Sequence, residues 1–183
     1  MRAGRCDRGA RRPQYRRNIN RLAHAVRSSG GLVVWVQMTI QDQDDWPVFL
    51  SSLVDKKNSA RILAELQPGS EGHKLWPECE AKPSDLVVPK NRFSAFLPSA
   101  CELSGMLKSK GIDTVLIGGT LTNVCSEASA RDAAMQDFKT TMISDANAAR
   151  SDDEHRASLI TFIQSFGDVR TTDELIALLR QGG

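Results

Sequence analysis

Cys125 is the residue in this sequence whose position best suits chemistry. A short apolar run from Val115 to Ile117 is broken by two glycines, and Thr122 then opens a segment with helical spacing of its apolar residues. This pattern predicts a strand, a sharp turn and a helix that Thr122 caps. Cys125 would lie in the first helical turn, where free N–H groups and the helix dipole stabilise a thiolate and can hold an oxyanion.

The alternative for Cys125 is a small buried residue with no chemical role. A lone cysteine more often packs in a core than acts as a nucleophile. The glycine pair and the position at a helix start favour the reactive interpretation. From the residues alone, both interpretations stay open.

Lys90 is the second candidate for chemistry. The segment 85–89 reads as a short strand that delivers Lys90, so residues 90–94 follow the carboxyl end of that strand. Open α/β sheets bind their ligands at this end. The competing interpretation is an ordinary surface lysine at a strand end.

The bulk composition is that of an ordinary globular protein. The chain has 183 residues, 40% hydrophobic and 25% charged, with a net charge of +2. These values predict one domain with a real core and do not indicate a polyanionic partner. No apolar run approaches the length of a membrane span, so we expect no membrane partner.

The amino-terminal residues are strongly basic. Seven arginines and one acid, Asp7, fall within the first 17 residues. An RNA-binding arm is one interpretation, but no aromatic residues alternate with these arginines to stack on bases. We expect residues 1–13 to form a disordered tail and the protein to bind no nucleic acid.

The four cysteines, at positions 6, 79, 101 and 125, show neither CxxC pairing nor zinc-finger spacing. Free thiols in a reducing cytosol are the simplest explanation, and they predict a cytoplasmic protein.

The elements that must position Cys125 and Lys90 alternate between strands and helices. Residues 32–38 are a continuous apolar run typical of a central parallel strand. We expect further strands at 115–117 and 140–144, and helices at 14–28, 99–109, 152–166 and 172–180. An irregular stretch, 46–83, is of a length that usually covers or lines a site.

This order predicts a single α/β domain over residues 14–183, with three layers (α/β/α) and a mostly parallel sheet. Such a fold ordinarily starts with a strand. Here the first predicted element is a helix, so the first strand is apparently missing.

Five short segments together resemble the isochorismatase-like cysteine hydrolases. They are KNRFSAF (90–96), GTLTNVC (119–125), ARDA (130–133), SDA (144–146) and FGDV (166–169). The resemblance covers residues 14–181. It implies a three-layer α/β/α enzyme that cleaves a C–N or related bond in a small amide, ureido or carbamoyl compound, without a cofactor.

The resemblance also implies roles for individual residues. Cys125 would be the nucleophile that forms a thioester, and Lys90 would favour its thiolate, since an ammonium nearby lowers a thiol pKa. A cis peptide would join Thr120 to Leu121. The main-chain N–H groups of Leu121 and Cys125 would then form the oxyanion hole.

The substrate is expected to be a small amide or ureido molecule. The sequence of residues 119–125 most resembles the corresponding segment of ureidoacrylate and carbamoyl-compound hydrolases. Trp35, Phe93 and Asn123 are the candidate substrate-binding residues, although aromatic residues lie in a core more often than in a pocket wall. We also expect a homo-oligomer.

The family's catalytic Asp, which ends its first strand, has no counterpart in this sequence. Asp7 is the only acid before Pro13, and no apolar run precedes it. We therefore expect little amidase activity from the 183 residues. The chain would be either a truncated hydrolase or a catalytically silent member that serves as a binding or structural subunit.

No metal is expected. The family's zinc-binding nicotinamidases carry an Asp-x-His pair after the second strand, whereas residues 37–41 here contain no histidine. Asp42, Asp44 and Asp45 read as solvated loop acids, and His73 and His155 as loop and helix-surface residues. Redox sensing through Cys125 is a third possibility that would need a second cysteine nearby.

Overall fold

Helices and strands alternate along residues 12–181, which are the residues that this computed structural model describes. The helices are α1 (Arg12–Ser28), α2 (Lys56–Leu66), α3 (Leu103–Ser109), α4 (Glu127–Ala134), α5 (Asp152–Ser165) and α6 (Thr172–Gln181). The strands are β1 (Val34–Met38), β2 (Leu86–Lys90), β3 (Thr114–Thr120), β4 (Lys139–Ala148) and β5 (Asp168–Arg170). The predicted disordered tail covered residues 1–13. Residues 1–11 lie outside the described part of the chain, whereas Arg12 and Pro13 belong to α1.

All pairings between the described strands are parallel, but the strands form two sheets. β1 pairs with β2 from Val34↔Leu86 to Met38↔Lys90. The second sheet has the order β3-β4-β5. Within residues 12–181, no ladder joins β1 to β3, so each of these strands is bonded along one edge only.

The two faces of β4 show the layers. Met142 packs with Ala130 of α4 and Phe162 of α5, whereas the next residue, Ile143, packs with Leu22 of α1 and Leu175 of α6. Successive side chains of a strand point to opposite faces. The helices therefore cover both sides of this sheet, which confirms the predicted α/β/α architecture.

A third apolar cluster connects the two sheets. It contains Val88 of β2, Val115 of β3, and Phe96 and Leu107, and Val36 of β1 packs against it. β1 and β3 therefore share one core although no hydrogen-bond ladder joins them.

The predicted cap on the helix with Cys125 is wrong. Leu121 occupies the N-cap position and makes no side-chain cap, and residues Thr122–Ser126 form one π-helical turn before α4 begins. Thr122 is completely buried, and its hydroxyl contacts a different helix. The Thr122 hydroxyl therefore contacts a residue 33 positions away along the chain and caps no helix.

No helix within residues 12–181 is both long and apolar enough to cross a membrane.

Candidate active site

Lys90 is the last residue of β2 and is buried. The alternation of the strand buries Val88 and Lys90, while Val87 and Pro89 are exposed. Only 6% of the surface of Lys90 is accessible, and its ammonium donates a hydrogen bond to the main-chain oxygen of Phe93. Burial lowers the pKa of Lys90, because an ammonium is less stable away from water.

Cys125 lies beside Lys90. The attraction between the two side chains acts to raise the pKa of Lys90, against the larger effect of burial. Cys125 as a whole residue is partly exposed. The structure thus brings together the two residues that were the candidates for chemistry.

The turn that presents Cys125 begins with an unusual stretch of backbone. Gly119 has a φ of 134°, which strongly favours glycine, and the register of β3 on β4 shifts between Ile117 and Gly119. The peptide bond between Thr120 and Leu121 is cis. Leu121 leads directly into the π-helical turn that contains Cys125.

Cys101 is a second sulfur near Lys90. It is buried, and burial raises the pKa of its thiol, while the charge of Lys90 acts in the opposite direction. The three described cysteines, at 79, 101 and 125, are all free thiols. Nothing in the sequence pattern singled out Cys101.

An aromatic cluster adjoins Lys90. The ring of Trp46 lies 4.5 Å from Phe49 and 4.7 Å from Phe93 between centroids. Arg92 lies over Trp46, 4.9 Å from the ring centroid, and donates to the main-chain oxygen of Asp45 at 2.6 Å. Phe93 belongs to this cluster, and its carbonyl accepts the hydrogen bond from Lys90. The cluster therefore joins Trp46 and Phe49, from the segment 45–53, to the site.

Two residues of the segment around α4 fix the SAF portion of the KNRFSAF segment. The Ala95 N–H donates to the Ser129 hydroxyl at 3.0 Å, and the Gln136 amide donates to the Phe96 carbonyl. Sequence reasoning missed this pair. Ser129 lies on α4 and Gln136 in the turn that follows it, so no helical spacing in the sequence joins the two residues.

Two of the three candidate substrate-binding residues lie close to the site. Phe93 follows Lys90 as described above. Asn123 precedes Cys125 by two residues, and its side-chain oxygen is buried without a hydrogen-bond partner among the described residues.

Trp35 lies elsewhere. Its indole N–H donates to Asp85 at 2.8 Å, just before β2 begins, whereas Lys90 lies at the opposite end of this strand. A tryptophan beside a buried carboxylate satisfies its N–H there, and this partner could not be read from the sequence.

The acidic stretch and the two histidines have local partners. Asp42 and Asp45 form a capping box around a short 3₁₀ turn. His73 contacts the Thr39 hydroxyl at 2.8 Å, and His155 contacts buried Thr122 and is therefore more than a surface residue. Within residues 12–181, no group of three or more His, Cys, Asp or Glu side chains could hold a metal ion.

Solved structures share this fold. A cysteine hydrolase from Pseudomonas syringae pv. phaseolicola 1448A superimposes with a TM-score of 0.82 at 24% identity, over 95% of this chain and 84% of its own. N-carbamoylsarcosine amidase from Thermoplasma acidophilum gives 0.73 at 23% identity, over 93% and 89%. At these identities, the likeness establishes the fold.

Sequence relatives carry hydrolase names. A ureidoacrylate amidohydrolase from Enterobacter sp. strain 638 is 30% identical over 84% of this chain and 70% of its own length. The maleamate amidohydrolase of Pseudomonas putida is 34% identical, over 60% of this chain and 52% of that protein. The family model for the isochorismatase domain matches residues 3–174. The chain with its paired Lys90 and Cys125 therefore belongs to the isochorismatase family of hydrolases.

Proposed function

We propose that this protein is a cysteine hydrolase that cleaves a C–N bond in a small amide, ureido or carbamoyl compound. The observation that carries the proposal is the buried ammonium of Lys90 beside the partly exposed residue Cys125, at the carboxyl ends of β2 and β3. A cation at this position favours the thiolate, which is the nucleophilic form of cysteine. The names of the relatives favour the same class of reaction.

The reaction has two stages. The Cys125 sulfur attacks the carbonyl carbon, and the carbonyl electrons move onto oxygen, where the main-chain N–H groups of Leu121 and Cys125 stabilise the negative charge. The C–N bond then breaks, and the nitrogen leaves with a proton as ammonia or an amine. Water attacks the resulting thioester, releases the acid and restores the thiol.

The surroundings of the pair supply further groups for substrate binding. The aromatic cluster of Trp46, Phe49 and Phe93 offers an apolar wall next to Lys90. The buried oxygen of Asn123 can accept an N–H from an amide or ureido group. We assign the substrate to small, planar amides on this basis. A homo-oligomer and a cytoplasmic location stay predictions.

A catalytically silent binding or structural subunit is the second candidate. The titratable side chains that act on the pKa of Lys90 are Cys125 and Cys101, and no carboxylate from residues 12–181 is among them. Without a carboxylate, the site has no acidic residue to accept and return the proton that both stages of the reaction transfer.

Ammonia release from a panel of ureidoacrylate, maleamate and N-carbamoyl amino acids separates the two candidates. We expect slow turnover that Cys125→Ala abolishes, because the nucleophile is lost. Cys79→Ala is the matched control, because the charged groups that act on this thiol are Arg16 and Glu78 and not Lys90.

Mass spectrometry of the reacting protein should show a mass increase on Cys125 equal to the acyl group. A protein that releases no ammonia and forms no adduct with any member of the panel contradicts the hydrolase proposal and favours the silent subunit.

A further inference from the structure

Side-chain contacts join the turn that contains Cys125 to α5. The Thr122 hydroxyl, three residues before Cys125, lies 2.8 Å from Nδ1 of His155. The Ser158 hydroxyl donates to Glu127, two residues after Cys125, at 2.7 Å, and it lies 3.4 Å from the main-chain oxygen of Thr122. Two successive turns of α5 therefore hold both ends of the segment 122–127.

Each of these contacts has at least one buried partner, while His155 and Glu127 are half-buried. Thr122 is 0% exposed and Ser158 is 4% exposed. Glu127 also binds Arg131, whose guanidinium lies 4.3 Å from the ring centroid of Phe166. Hydrogen bonds shielded from water hold a more definite geometry than exposed ones, because water does not compete for the partners.

No side chain from the described part of the chain caps the turn that contains Cys125. The N-cap, Leu121, makes no side-chain hydrogen bond to the turn, and the Val124 and Ser126 N–H groups both donate to its main-chain oxygen. The direction of the turn is therefore fixed by this one carbonyl and by the side chains of α5. Cys125 lies midway between the two points of attachment.

We propose that Thr122, His155 and Ser158 are positioning residues, which hold the Cys125 sulfur and the main-chain N–H groups of its turn in the geometry that the hydrolysis needs. The inference rests on the proposed function and deepens it. None of the three side chains has to touch the substrate. A nucleophile displaced by about 1 Å loses about 100-fold in rate, so loss of these contacts would cost more activity than stability.

The test compares Thr122→Val, which keeps the shape and removes the hydroxyl, with Thr122→Ser, which keeps the hydroxyl. Thr161→Val is the matched control, because Thr161 lies on exposed α5 surface and bonds only within its own helix. For each variant, kcat and KM are measured together with the melting temperature. The rate of alkylation of Cys125 by iodoacetamide at pH 7 is followed by peptide mass spectrometry.

We expect Thr122→Val to lower kcat about 10-fold to 100-fold with KM within about 2-fold, and to slow alkylation of Cys125. Thr122→Ser should recover most of both rates, and Thr161→Val should alter neither. If Thr122→Val does not fold, His155→Leu removes the same contact from the α5 side. Alkylation that is unchanged or faster in the folded variant overturns the proposal.

The two readouts keep the hydrolase and positioning proposals apart. A native protein that hydrolyses nothing, but whose Cys125 alkylation depends on the Thr122 hydroxyl, contradicts the hydrolase and supports the positioning role. A protein that hydrolyses an amide equally well with Thr122 or Val at this position contradicts the positioning role alone.

Discussion

The ammonium of Lys90 is in an environment that disfavours its charge. Lys90 is almost completely buried. Its ammonium donates to the Phe93 carbonyl and interacts with the side chain of Cys125. A residue of this kind reduces stability unless a neighbour compensates for the lost hydration. The neighbours that offset this cost in part are the Phe93 carbonyl and Cys125.

Replacing Lys90 by Met should therefore raise the free energy of unfolding, by about 1 kcal/mol at pH 7, while abolishing hydrolysis. The pKa of Lys90 in the folded protein is below its ordinary value of 10.5, so the unfolded chain binds the proton more tightly. The destabilisation is present below the folded-state pKa and disappears as the pH rises towards 10.5.

Urea unfolding at pH 7 and pH 10 checks this prediction. The advantage of Lys90→Met should be smaller at pH 10. A variant that is less stable than the native protein at pH 7 would show that attraction to Cys125 outweighs the cost of burial.

At the residue scale, local patterns made Cys125 and Lys90 candidates, because a glycine break before a helix and a strand end can be read from the sequence, and the structure places the two side by side. It did not find the partner of Thr122, since His155 is 33 residues away along the chain. It also placed Trp35 among the substrate-binding residues, while the acid that holds Trp35 is 50 residues away.

At the scale of elements, Asp85 joins one helix to the first sheet. It accepts hydrogen bonds from Arg27 of α1 at 2.5 Å and 2.8 Å and from Trp35 of β1, and its side chain is 2% exposed. The Arg27 guanidinium is the main reason that the pKa of Asp85 lies well below its ordinary value of 3.8. A single carboxylate thus fixes α1 against β1.

Asp85→Asn should lower the free energy of unfolding by about 2 kcal/mol at pH 7, because the Arg27 charge loses its partner. A depressed carboxyl pKa contributes stability above the unfolded value of 3.8, and this contribution is lost as the pH falls towards the folded-state pKa. The difference between native and variant should therefore decrease below pH 3.8.

Denaturant unfolding at pH 7 and pH 3 measures both effects. Asp113→Asn is the control, since Asp113 pairs with Lys139 on an exposed surface and its loss should change stability little. Equal effects of the two variants at pH 7 would contradict the role assigned to Asp85.

The order and type of the elements were largely predictable, and their ends were not. The sequence placed β2 at 85–89, with Lys90 after it, whereas Lys90 is the final residue of the strand. The predicted strand 140–144 continues to Ala148, because Asn147 and Ala148 pair with Gly119 and Thr120 beyond the register shift. Such an irregularity depends on a partner strand, which local propensity does not describe.

At the scale of the whole molecule, the described strands leave β1 and β3 each paired along one edge although both contribute to a common core. Apolar residues of these strands remain partly exposed, among them Val34 and Ile117. A strand with one unpaired edge invites pairing with another segment. The absence of a first strand stays a prediction, because residues 1–11 lie outside the described part of the chain.

A fused apolar segment that ends in Asp, placed before residue 12, should therefore raise both stability and turnover. The segment would supply pairing for β1 and β3 and bring a carboxylate to the carboxyl ends of the strands, beside Lys90 and Cys125. We expect ammonia release to increase by about 100-fold or more, since general acid–base groups contribute on this scale.

The same fusion with Asn in place of Asp is the control that separates pairing from proton transfer. Both fusions should raise the melting temperature, and only the one with Asp should raise turnover. A fusion with Asp that restores neither would show that the segment does not fit between the strands.

The aromatic cluster has an optical consequence. Trp46 touches Phe93, whose carbonyl holds Lys90, whereas the indole of Trp35 is fixed to Asp85 at the far end of the strand. A molecule that enters the site changes the polarity around Trp46, while Trp35 and the exposed Trp76, which lies against Arg16, supply the background emission. Intrinsic emission can thus report occupancy of the site without any label, even for compounds that the protein binds and does not convert.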